Sequence, residues 1–120
     1  MKTKWILPFM LLAAVTINAA PDGETLLNEK CAVCHIVSGI TAEKLKNMVA
    51  PPMWGVVKKV KTNHKTREEG IAFIVDYSLD PSEEKMIFPK AAKERFGLMP
   101  SQKGNVTEEE LKAIAEYLYR

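Results

Sequence analysis

The chain has 120 residues, 47% hydrophobic and 27% charged, which suits one globular domain and excludes multi-domain enzymes, collagen-like repeats and disordered tails. Seventeen Lys+Arg stand against fifteen Asp+Glu, and the surplus is Lys2 and Lys4. The rest of the chain is neutral, so it has no overall electrostatic reason to bind nucleic acid.

At the N-terminus, Lys2 and Lys4 form a basic start, Trp5 to Ile17 is apolar, and the small residues Ala19 and Ala20 follow. This pattern predicts a signal peptide over residues 1–19. Cleavage after Ala20 would put Pro21 directly behind the cut, where its fixed φ and missing N–H fit an extended protease substrate poorly, so Ala19 is the expected last residue. The apolar run is too short to span a bilayer comfortably, though a retained N-terminal anchor is the alternative. The expected product is an exported domain, residues 20–120, without a stable membrane span and in a bacterium periplasmic. Such a domain is too small for a large core unless something else fills its middle.

Asp22 caps a predicted helix from Gly23 to about Cys34. A polar segment, Ser38 to Val49, ends at Ala50-Pro51-Pro52, where helix cannot continue. Met53 to Val57 lead into a lysine-rich stretch, with Val60 to Thr66 read as a polar, basic connection. Thr66-Arg67-Glu68-Glu69 is a capping-box pattern, followed by Ile71, Ile74, Val75 and Leu79 at helical spacing and a stop near Asp80-Pro81. Ser82 caps a further helical piece, broken at Pro89 and ended by Gly97. Thr107 to Glu110 is a second capping box, and Leu111, Ile114, Ala115 and Leu118 form an apolar stripe. The expected fold class is all-α.

The chemistry lies in Cys31-Ala32-Val33-Cys34-His35. Two cysteines three apart sit about one helical turn from each other, so both thiols can add to the vinyl groups of one porphyrin and leave the next residue, a histidine, as an iron ligand. The pattern reads as attachment of one haem c. Three other readings compete. A thioredoxin-like redox pair belongs on a βαβ unit, for which no strand pattern exists. A structural zinc needs four ligands, and only Cys31, Cys34, His35 and His64 are available. A disulfide would close a very small loop and stabilise little.

With these residues in place, the exported chain resembles a class I cytochrome c. Gly23 precedes the cysteine pair with Leu27 at the family's usual aromatic position, and Ala113-Ile114-Ala115-Glu116-Tyr117-Leu118 is similar to its C-terminal helix. The resemblance implies that Gly23 and Tyr117 meet where the two terminal helices cross. Met48-Val49-Ala50-Pro51-Pro52 resembles the family's Val-Gly-Pro element, which makes the Pro51 carbonyl the acceptor for the His35 ring N–H. Ala50 stands in place of the glycine and a second proline follows, which leaves Pro52 as the alternative acceptor. Phe96-Gly97-Leu98-Met99-Pro100-Ser101 resembles the Met-Pro loop, and implies Met99 as the sixth iron ligand opposite His35.

Among the remaining methionines, Met53 is the best rival because it sits near the Pro51 turn, while Met48 and Met86 are read as packing residues. His64 is a minor candidate for ligation, with solvent exposure the expected state. Trp54, Phe73, Phe88 and Phe96 are expected to wall the haem pocket. The stretch between Val56 and Gly97 is longer than a minimal member needs, and either covers a haem edge or offers a partner surface.

Lys44, Lys46, Lys58, Lys59, Lys61, Lys65 and Arg67 crowd the middle of the chain, whereas Glu108, Glu109, Glu110 and Glu116 load the last helix. Carboxylates at a helix N-terminus have a local explanation in the helix dipole; the basic stretch is either solvated or steers an acidic redox partner. The implied function is a non-enzymatic, mono-haem electron carrier between respiratory redox proteins. The alternative is a haem-based gas sensor with a displaceable sixth ligand.

Overall fold

Short capping patterns set where the helices begin. The structure, a computed structural model, describes residues 21–120; the leader and cleavage point read over residues 1–19 lie outside the described residues. Asp22 accepts the Thr25 N–H at 2.8 Å and starts α1, Gly23–Leu26. This helix runs on as a π-helical turn, Leu27–Cys31, closed by the Ala32 N–H to the Leu27 carbonyl at 3.2 Å. Helical bonding was expected to reach Cys34. Instead the chain leaves the helix after Cys31 in a turn, where the Cys34 and His35 N–H groups both donate to the Cys31 carbonyl, at 3.2 and 2.9 Å. The two cysteines therefore keep the one-turn spacing that the motif requires.

Thr41 caps α2, Ala42–Lys46, a short helix with no buried residue within the longer polar segment read from the sequence. Pro52, extended and lacking an N–H, precedes α3, Met53–Asn63. That helix corrects the reading of residues 60–63 as a connection. Its Lys, Thr and Asn content signals no helix, but Met53 and Val60 are buried on one face, and burial outweighs weak propensity. Thr66 caps α4, Arg67–Leu79, accepting from the Glu69 N–H at 3.1 Å, while the Glu69 carboxylate reaches the Lys65 N–H and leaves the box unreciprocated. The piece expected after Ser82 is a single turn; α5, Lys90–Phe96, begins only after Pro89 and ends at Gly97, whose φ of +74° an L side chain adopts with difficulty. The box predicted at Thr107 is complete and opens α6, Glu108–Leu118. Among the described residues there is no strand, as the expected all-α class requires.

The α6 stripe organises the core. Leu111 and Ile114 join Leu26, Leu27, Met53 and Val106 in one buried cluster, and Ala115 joins Val60, Ile71 and Ile74 in a second. Each fully buried Leu or Ile contributes roughly 1.5–3 kcal/mol, so α6 fastens α1 and α4 together. Gly23 and Tyr117 meet at the crossing of α1 and α6, as the resemblance implied: a Cβ at Gly23 would collide with the Ala113 carbonyl and lie 2.7 Å from Tyr117 Cβ. A backbone carbonyl cannot swing aside, so Gly23→Ala is expected to force the helices apart and cost about 2 kcal/mol. Denaturant unfolding of the holoprotein measures it, and an unchanged midpoint would show that the crossing is loosely packed.

Candidate haem site

The turn after α1 presents Cys31 and Cys34, and the next residue, His35, is tied to the chain segment ahead of α3. Its Nδ1 lies 2.6 Å from the Pro51 carbonyl oxygen. A carbonyl only accepts, so Nδ1 carries the proton and Nε2 carries the lone pair. Burial holds the His35 imidazole below its ordinary pKa, opposed by the Pro51 hydrogen bond, and the ring is therefore neutral at pH 7. The acceptor is Pro51 and not Pro52. A second tie, from the Met53 N–H to the Ile36 carbonyl at 2.9 Å, pins the start of α3 beside the cysteine turn. Burial, with Cys34 beside it, pushes the Cys31 thiol up to about 11. A reactive redox pair depends on a lowered thiol pKa, so this environment argues against the thioredoxin-like reading.

All five site residues predicted from the sequence, Cys31, Cys34, His35, Pro51 and Met99, line one cavity of about 560 Å³. Its walls come chiefly from three helices and the loops around them: Met53, Val56 and Val60 from α3, Phe73, Ile74 and Tyr77 from α4, and Leu111, Ile114 and Leu118 from α6. Val33, Val49 and Leu98 also line it and are exposed, so the rim is apolar. Much of the stretch between Val56 and Gly97 thus supplies cavity wall, including Met86, Ile87 and Phe88, of which Phe88 was expected there. Lys85 holds that segment on α4 through Asp76 and Asp80, at 3.0 and 3.1 Å, and Lys93 bonds Glu83 at 2.7 Å. These pairs are solvent-exposed, and they fix position more than they add stability.

Two expectations change. Phe73, Phe88 and Phe96 line the cavity, but Trp54 does not; it is 47% exposed on the outside of α3. Met53 takes the inward position there, and one residue along a helix turns about 100° away from it. His64 is half-buried, with its Nδ1 against the Val60 carbonyl at 2.9 Å and its ring 4.8 Å from that of Phe73; it backs the wall without lining the cavity. Met53 and Met86 do line it, but Met53 is 8% exposed and packed in the core cluster with Leu111 and Ile114.

A cofactor of the size that such a cavity accepts, within the roughly 300–1,000 Å³ of small-molecule sites, would meet apolar walls, two thiols, an imidazole with a free nitrogen lone pair and thioether sulfurs. That donor set fits a haem and little else, because soft sulfur and imidazole ligands together with paired thiols are what a covalently held iron porphyrin uses. The family profile for cytochrome c matches residues 20–119. The chain belongs to the cytochrome c family. Haem c, bound covalently through Cys31 and Cys34, is accordingly its cofactor. This cytochrome c is 33% identical over 118 residues to an uncharacterized protein of Aquifex aeolicus (strain VF5), an alignment covering 88% of this chain and 77% of the relative. No solved structure matches it significantly.

Proposed function

We propose that this cytochrome c is a periplasmic mono-haem carrier that passes single electrons between respiratory redox proteins, with His35 and Met99 as the residues that would ligate the haem iron. One observation carries the reading: Cys31, Cys34, His35, Pro51 and Met99, scattered over 69 sequence positions, converge on one cavity with the His35 Nε2 left free. The haem supplies reversible one-electron chemistry at its iron. The chain's residues set the conditions for it. The Pro51 carbonyl fixes the imidazole's tautomer and raises its basicity as a ligand. A thioether from Met99 favours the ferrous state and raises the potential. Apolar walls keep water out and disfavour the more highly charged ferric state.

Peroxidase turnover needs an open sixth position and a distal acid or base, so a carrier follows once Met99 fills that position. The test is a visible spectrum of each oxidation state with and without carbon monoxide. The expected ferrous spectrum is indifferent to carbon monoxide; rapid binding would favour the gas-sensing alternative. The periplasmic location rests on the signal peptide read over residues 1–19, with Ala20 expected as the mature N-terminus.

For the redox partner, the outer face of α3 is the favoured docking surface. Trp54, Val57, Lys58, Lys61 and Thr62 form a shallow groove there. Its lysines and its exposed tryptophan suit an acidic protein surface. Reversing Lys58, Lys59, Lys61 and Lys65 to Glu is expected to slow association with that partner roughly ten- to hundredfold at low ionic strength and to flatten its salt dependence, with the potential hardly moved. Stopped-flow electron transfer across ionic strengths checks this. Unchanged rates would reduce these lysines to solvated surface.

A further inference from the structure

The loop that carries Met99 has no helix of its own to hold it, and its side chain is only half-buried. The residues after it are anchored to the end of α4. A helix ends with carbonyls that lack intrahelical partners. Here the Ser101 hydroxyl donates to the Leu79 carbonyl at 2.6 Å, and the Gln102 N–H donates to the Ser78 carbonyl at 2.9 Å. The Gln102 side chain turns back, its Nε2 donating to the Pro100 carbonyl at 3.0 Å, while its Oε1 accepts from Asn105 Nδ2 at 2.9 Å. Gln102 also lines the cavity, as does Ser78.

We infer that Ser101 and Gln102 are positioning residues that hold the Met99 sulfur against the iron: the Ser101 hydroxyl locks the Met-Pro loop onto the C-terminus of α4, and the Gln102 side chain braces that loop through Pro100 and Asn105. The inference rests on the proposal that Met99 is the sixth ligand and extends it to residues that do not bind the iron. Pro100 fixes φ on one side of the loop, Gly97 at φ +74° is its turning point on the other, and the hydrogen bonds that restrain residues 100–105 each have Ser101 or Gln102 as donor or acceptor. Loss of one such bond shifts an equilibrium between sulfur-on and sulfur-off loops about threefold to tenfold. The exposed Ser101 belongs at the lower end of that range, and the half-buried Gln102 at the upper end.

The experiment uses the full holoprotein and carbon monoxide as the probe of the ferrous sixth position, with the sulfur-to-iron near-infrared band read in the ferric form. Ser101→Ala and Gln102→Ala are each expected to speed carbon monoxide binding about threefold to tenfold and to weaken the band, whereas Ser101→Thr, which keeps the hydroxyl, behaves as wild type. Met99→Ala is run alongside as the limit with no sulfur. If Met99→Ala opens the iron and abolishes the band while both Ala variants bind at the wild-type rate, even with a lowered Tm, the two side chains only stabilise the fold locally and the inference is overturned. Failure of Ser101→Thr to restore the wild-type rate would overturn the role of the hydroxyl. If Met99→Ala itself changes neither the band nor the rate, the ligand assignment falls first, and this inference falls with it.

Discussion

Replacing both cysteines, Cys31→Ser with Cys34→Ser, yields a chain without covalent haem that is largely unfolded. The reason is visible in how the core is divided. Two buried clusters, one around Leu26, Leu111 and Ile114 and the other around Val60, Ile71 and Ile74, share the walls of a cavity of about 560 Å³. Without haem the apolar walls of that cavity face water in place of a packing partner, and the burial lost is large against the whole stability of an ordinary domain, about 5–15 kcal/mol. A chain of this size has no surplus core with which to offset that, so the walls collapse or unfold. Haem staining after denaturing electrophoresis, with far-ultraviolet circular dichroism of the purified chain, measures both halves of the expectation. A stable, folded, haem-free double mutant would contradict the account of the core.

Met99→Ala has the second largest expected effect, and it acts on the iron with the fold left standing. His35 and both thioether links remain, so the haem stays in place. The ferric near-infrared band disappears, the ferrous form becomes open to carbon monoxide, and the potential drops because the ligand that prefers ferrous iron is gone. A hundredfold loss of that preference corresponds to a fall of about 120 mV for a one-electron couple. Met53→Ala is the informative control. Met53 lines the same cavity but is buried in the core cluster, so its removal is expected to cost about 2–5 kcal/mol of stability and to leave the band intact. If the band instead goes with Met53 and survives loss of Met99, the ligands have been assigned the wrong way round.

Both the haem attachment and several helix starts are legible from a few adjacent residues, because the interactions that specify them are local. The cysteine turn closes through hydrogen bonds between neighbours, and the caps at Asp22, Thr66 and Thr107 each join residues three apart. The α6 stripe and the glycine-ended, proline-held Met99 loop are equally local patterns. The resemblance assigns the His35 acceptor to Pro51 with Pro52 as the alternative, and the path of the backbone sixteen residues away bears out Pro51.

What sequence alone determined, then, was the cofactor, the fold class and a set of candidate residues that the fold brings to one cavity, since covalent chemistry and capping act over single helical turns. Tertiary structure decided which faces those helices bury. It made residues 53–63 a helix because Met53 and Val60 found partners, and it turned Trp54 outward in the same step. It held the expected wall residue Phe88 in place by tying Lys85 back to α4, added Ile87 beside it, and tied Ser101 to Leu79 across 22 residues. Contacts of that span depend on where other elements pack, and no window of neighbouring residues encodes them.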